Sequence, residues 1–139
     1  MERESGGAVG QQGMDALLPT HSHDIYGVMN DKGMMIVRCR FIPKGFCVNL
    51  FGTIWARDTS WIDRCVINHE RIHTAQQREL LFLPFYVLYV LEWLVRLVQY
   101  RNRHDAYMNI SFEREAYAHG HDLDYLPKRK HFAWLRPRP

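Results

Sequence analysis

The chain has 139 residues, an apolar content of 47% with 13% aromatics, and a formal net charge of +3. This length supports a single domain with its own core, and the composition excludes a disordered or fibrous chain. The charge is local: residues 128–139 hold five Lys/Arg and no acid, leaving thirteen basic against fifteen acidic residues elsewhere. There is no basic body, no phosphate loop and no nucleic-acid fingerprint, so no nucleic-acid partner is expected.

Residues 1–20 are rich in Gly and Gln and contain no apolar stretch, which predicts a flexible leader rather than a signal peptide. His21 and His23 follow; two histidines beside such a terminus usually have no function. Between Met34 and Ile42 the chain alternates, with Met35, Val37, Cys39 and Phe41 on one side and Arg38 and Arg40 on the other. That pattern predicts a half-buried strand. Pro43-Lys44-Gly45 predicts a turn, Phe46 to Phe51 the returning strand of a hairpin, and Gly52 a bulge before a short extended piece from Thr53 to Arg57. Cys39, Cys47 and Cys65 are odd in number and lack C-x-x-C spacing, so they read as small core residues of a reduced, cytoplasmic compartment.

From Ser60 onward the pattern is helical. Ser60-Trp61-Ile62-Asp63 has the form of a capping box, predicting a helix to about Phe82. Pro84 ends that helix and suits the first turn of another, running to about Tyr100. This second helix is apolar on all sides through Leu91, then carries Glu92 and Arg96 four residues apart. A further helix is predicted around Ile110 to Tyr117, with Gly120 as its C-cap. The expected fold class is α+β: a short N-terminal antiparallel hairpin or sheet, then a mainly helical core. It forms one domain over residues 21–127, followed by a basic, aromatic tail over 128–139.

Within the first helix, His69-Glu70-Arg71-Ile72-His73 spells H-E-x-x-H. Residues four apart share a helix face, so both imidazoles can reach one metal ion. Glu70 sits about 100° round the same turn, where it can hold a water rather than ligate the metal. Chance alone would produce the motif at about the 2% level in this composition, so its context matters. Ile62, Val66 and Leu80 fall on the histidines' side with Gln76 beside them, which turns His69 and His73 inward. A metal-free pair of core histidines is the alternative.

A catalytic zinc takes three protein ligands and leaves one position for water. The run Ile110-Ser111-Phe112-Glu113-Arg114-Glu115-Ala116-Tyr117 is the best source of the third. With H-E-x-x-H before it, the chain resembles the gluzincin metallopeptidases over roughly residues 60–120. Their second zinc helix carries a Glu three residues before an Ala that is usually followed by Asp. The resemblance implies that Glu113 is the third zinc ligand and that Ala116 lets the two helices approach. Tyr117 stands where the family has its Asp, a residue that helps orient a ligand. Glu115 is the competing ligand, but about 200° separates it from Glu113, which predicts a solvent-facing side chain. The strings Asn68 to Gln76, Phe85 to Trp93 and Asn109 to Tyr117 also look like a set of small uncharacterised bacterial proteins with H-E-x-x-H-x-x-Q, and that likeness implies no activity.

The 19 residues from Leu80 to Val98 have the length of a membrane span. One crossing, however, would put His69 and His73 about 30 Å from Glu113, on opposite sides of the bilayer. The segment is therefore expected to be a buried core helix or a helix lying on a membrane surface, assisted by the basic tail with Phe132 and Trp134. The sequence as a whole points to a zinc-dependent metallohydrolase, a minimal gluzincin-type peptidase with Glu70 as general base and a peptide or protein as substrate. It would be cytoplasmic or peripheral at the membrane. The rival is a non-catalytic, metal-stabilised module that docks on a membrane or a protein.

Overall fold

The computed structural model describes residues 25–29 and 33–136. The leader and the histidines at 21 and 23 lie outside them. The described chain is α+β, with four strands preceding five helices. The strands are β1 (Ile25–Met29), β2 (Met35–Cys39), β3 (Cys47–Leu50) and β4 (Thr53–Ala56), in the sheet order β1-β2-β4-β3.

The hairpin expected around Pro43-Lys44-Gly45 does not form. β2 pairs with β1 antiparallel and with β4 in parallel, while β3 pairs with β4 antiparallel. The reversal lies instead at Phe51 and Gly52, which both take positive φ (51° and 80°). Two successive residues at positive φ make the tight connection whose twist suits a two-residue hairpin. Gly52 is thus a turn residue rather than a bulge, and the expected third extended piece is the central strand β4, with Ile54 and Ala56 fully buried. Val37 and Cys39 are buried as their alternation requires, whereas Met35 and Phe41 of the same predicted face are exposed.

Helix α1 (Arg64–Glu79) begins three residues later than the Ser60 cap implied, because Asp63 caps it by accepting from the Val66 amide at 2.9 Å. Leu81 and Phe82 then reverse the chain at positive φ before Pro84, in the first turn of α2 (Leu83–Tyr100). Two elements follow that sequence patterning did not predict: α3 (Arg103–Met108), capped by Asn102, and, after α4 (Ser111–His119), the short α5 (Tyr125–Lys128). Among the described residues no single helix is long and apolar enough to cross a membrane; α1 and α2 together pass by length and composition, but only as a pair bent by 111°.

The apolar core centres on Phe85, Ile110 and Phe112, with Tyr89, Trp93 and Trp134 around them. The Phe112 ring lies 4.8 Å from Phe85 and 4.5 Å from Trp134, so the C-terminal segment packs on the domain rather than standing free in solvent. The buried face of α1 is mostly polar, and each of those polar residues contacts a neighbouring element, although Asn68 Oδ1 is left without a hydrogen bond. Asn49 donates to the Glu70 carbonyl (2.6 Å) and to Thr74 Oγ1 (3.0 Å), and Gln77 donates to the Asn49 carbonyl (3.1 Å), fastening the β3–β4 hairpin to α1. Asn68 donates to the carbonyls of Gly120 (3.0 Å) and Asp122 (2.9 Å), fastening the end of α4 to the same helix. Gly120 caps α4 in an ordinary helical conformation; a Cβ there would stand 3.0 Å from the Ala116 carbonyl oxygen and 3.6 Å from His69 Cβ.

Candidate metal centre

Four residues apart on α1, His69 and His73 point their Nε2 atoms to one place, 3.1 Å apart. Helix α4 crosses at that level because Ala116 is fully buried and has no bulk to hold it off. It brings Glu113, whose Oε2 lies 3.3 Å from His69 Nε2 and whose Oε1 lies 3.3 Å from His73 Nε2. The potential ligand atoms of the three residues all lie within 4.8 Å of one another.

The electrostatics of this cluster follow from its burial. Desolvation alone would depress the His73 imidazolium, but the Glu113 carboxylate outweighs it and raises the pKa to about 9. Burial likewise opposes ionisation of Glu113, yet His73 and His69 hold it well below the usual carboxylate range. Tyr89 on α2 donates to Glu113 Oε1 at 2.6 Å, and burial followed by that carboxylate pushes its phenol upward, so it stays a donor.

A cation suits this geometry. Glu113 Oε2 is buried and makes no hydrogen bond; its close contact is His69 Nε2 at 3.3 Å, at the point where both imidazoles aim. Gln76 Nε2 donates to the Phe112 carbonyl (3.1 Å) and to Glu115 Oε2 (3.0 Å), which fixes the amide so that its Oε1 faces His73 Nδ1 at 2.8 Å. Nδ1 of His73 must then carry the proton, and Nε2 is the nitrogen free to ligate. Two imidazoles and one carboxylate, with an amide bracing His73 from behind, make a group that could hold a metal ion.

Glu70 is turned off this cluster, as its place on the helix requires, and is buried. Cys47 on β3 donates its thiol to Glu70 Oε1 at 3.3 Å; burial and then Glu70 push the thiol pKa up, so it remains protonated. His69, Glu70, His73 and Glu113 all line an open cleft of about 850 Å³ between β3 and the helices. Val48 and Leu50 of the edge strand and Trp61 give it apolar walls. Tyr117 packs edge-on to His69 at 4.7 Å and His121 lines the cleft, whereas His119 stacks on Tyr125 at 3.8 Å and does not line it.

Glu115 corrects an expectation. It is buried, not solvent-facing, because α4 is covered on that side as well: Arg129 binds Glu115 and Glu79 together, with Nη2 at 3.1 Å from an oxygen of each. Tyr125 adds a hydrogen bond to Glu115 at 2.9 Å. The basic tail thus places one of its cations inside the domain. What sequence reasoning missed are the supporting roles of Gln76, Glu115, Tyr89 and Cys47. Only Gln76 carried a usable signal, three residues beyond His73 on the same helix face. Comparison of the chain with protein-family models, with curated proteins and with solved structures found no match.

Proposed function

We propose that the protein is a zinc-dependent hydrolase of peptide bonds, with His69, His73 and Glu113 as metal ligands and Glu70 as general base. The observation that supports this most is the convergence of those three ligands in the wall of an open cleft with Glu70 beside them. A site that served folding alone has no use for a carboxylate next to an open position. Zinc, when bound, supplies the Lewis acidity that activates water near neutral pH and polarises a carbonyl. The chain's own residues do the rest. Gln76 holds His73 in the ligating tautomer, and Tyr89 orients Glu113. The Cys47 thiol occupies Glu70 Oε1, leaving Oε2 to take the proton of the attacking water and pass it to the leaving amine. Tyr117 and His121 are donors in the cleft wall for charge developing on the carbonyl oxygen.

The test compares wild-type protein, purified without a metal-binding tag, with Glu70→Gln. Both should carry about one zinc per chain. Only the wild type should cleave a mixed peptide library, with a loss of about 10²-fold or more in the variant. Loss of zinc in Glu70→Gln would instead favour a metal-stabilised, non-catalytic module.

A further inference from the structure

Helix α2 is built inside out. Every exposed residue between Leu83 and Val98 is apolar, while Glu92 and Arg96 lie on its partly buried side and pair with each other at 3.1 Å. At 100° per residue the exposed set, from Val90 round to Leu88, covers an arc of about 160°. It runs about 22 Å along the axis, too short for the roughly 30 Å of a bilayer core. Scattered exposed leucines are ordinary; an unbroken apolar face of this extent marks a contact surface. Phe51, at the β3–β4 turn, packs on Phe82 at 5.7 Å and is itself 65% exposed.

We propose that this face of α2 lies flat in the headgroup region of an anionic lipid bilayer. The charges at its two ends identify the occupant. Arg78 precedes the apolar face, Arg101 and Arg103 follow it, and all three are exposed; Asp105 is the only exposed carboxylate between residues 78 and 105. Anionic lipid complements such ends. A second copy does not, because antiparallel packing sets Arg78 against Arg101 and Arg103, and parallel packing sets each arginine against itself. The width agrees, since a helix–helix seam covers a narrower stripe than a helix resting on a plane. The basic tail plays no main part: Arg129 is engaged by Glu79 and Glu115, and Trp134 by Phe112. The opposite side of α2 carries Tyr89 to Glu113, so this docking holds the histidine cluster about one helix diameter, roughly 10 Å, from the lipid.

Co-sedimentation of the full chain with phosphatidylcholine vesicles, with and without phosphatidylserine, tests this. The wild type should sediment with the phosphatidylserine vesicles and be partly released by salt. Leu91→Glu with Val95→Glu should lower binding by about tenfold or more. Arg101→Glu with Arg103→Glu, which leaves the packing untouched, should lower only the phosphatidylserine-dependent part, by about fivefold or more. Failure of the wild type to bind, or binding unchanged in both pairs of substitutions, overturns the proposal. So does a vesicle-free dimer, seen by light scattering, that Leu91→Glu dissociates, since that would assign the face to a second copy.

Discussion

His73 has both ring nitrogens engaged, and the two engagements do different things. Glu113 faces the nitrogen that can ligate, and Gln76 grips the other, itself held by Phe112 and Glu115. Gln76→Ala removes that grip and frees the ring to choose its tautomer. The expected result is a zinc affinity about 10- to 100-fold weaker, with the helix intact, measured by competition with a chromogenic chelator. An unchanged affinity would reduce Gln76 to a core amide. The H-E-x-x-H grouping was legible because four-residue spacing on a helix fixes a shared face without further information. Glu115 was not. Its angle from Glu113 tells which side of α4 it occupies, but not that a cation fourteen residues later comes back to cover that side.

At the scale of elements, α1, α4 and the C-terminal segment meet at Arg129, whose side chain is 5% exposed between Glu79 and Glu115. Burial works against ionisation of Glu79, but Arg129 holds its pKa below the usual value. Its contribution is therefore present above an unfolded value of 4.5 and is lost as pH falls through the lower folded one. Arg129→Met leaves two carboxylates buried without a counter-charge. Destabilisation of about 3–5 kcal/mol is expected from urea unfolding. Adding Glu79→Gln and Glu115→Gln to that variant should recover part of the loss. The strand connections show a similar limit of sequence pattern. Pro43-Lys44-Gly45 carries a turn signal, and the chain does turn there. Which strands pair, however, was decided by the tight Phe51–Gly52 reversal and by the amides of Asn49 and Gln77 docking on α1.

For the whole molecule, the cluster makes metal binding, proton binding and stability one problem. In metal-free protein His73 is raised from 6.5 to about 9, so its contribution is complete below 6.5 and is lost as pH rises through 9. Glu113 is depressed from 4.5, so its contribution is complete above 4.5 and is lost as pH falls through its folded value. Between those limits the charged pair itself ties α1 to α4. Zinc must displace the His73 proton, so the rise in melting temperature on adding zinc should be small near about pH 6 and grow toward about pH 9. A zinc-induced shift that does not vary with pH would separate His73 from the metal. The α+β division was legible because strand and helix periods differ along the chain. The exposed apolar side of α2 was not, since a helix apolar on all sides gives no sign of which side the core takes.

The pairing of Glu79 with Arg129 spans 50 residues, and this sets an order on the making of the protein. Arg129 follows the end of α4 by ten residues, so its pairs with Glu79 and Glu115 form after both helices have been synthesised. Until then the side of α4 that Arg129 and Tyr125 cover is open to water, and Glu115 keeps its hydration. Folding of the C-terminal segment is what takes both carboxylates out of water, and it brings their counter-charge in the same step. A chain still being synthesised therefore has the histidines well before it has the Arg129 clamp that braces Glu115, on which Gln76 rests.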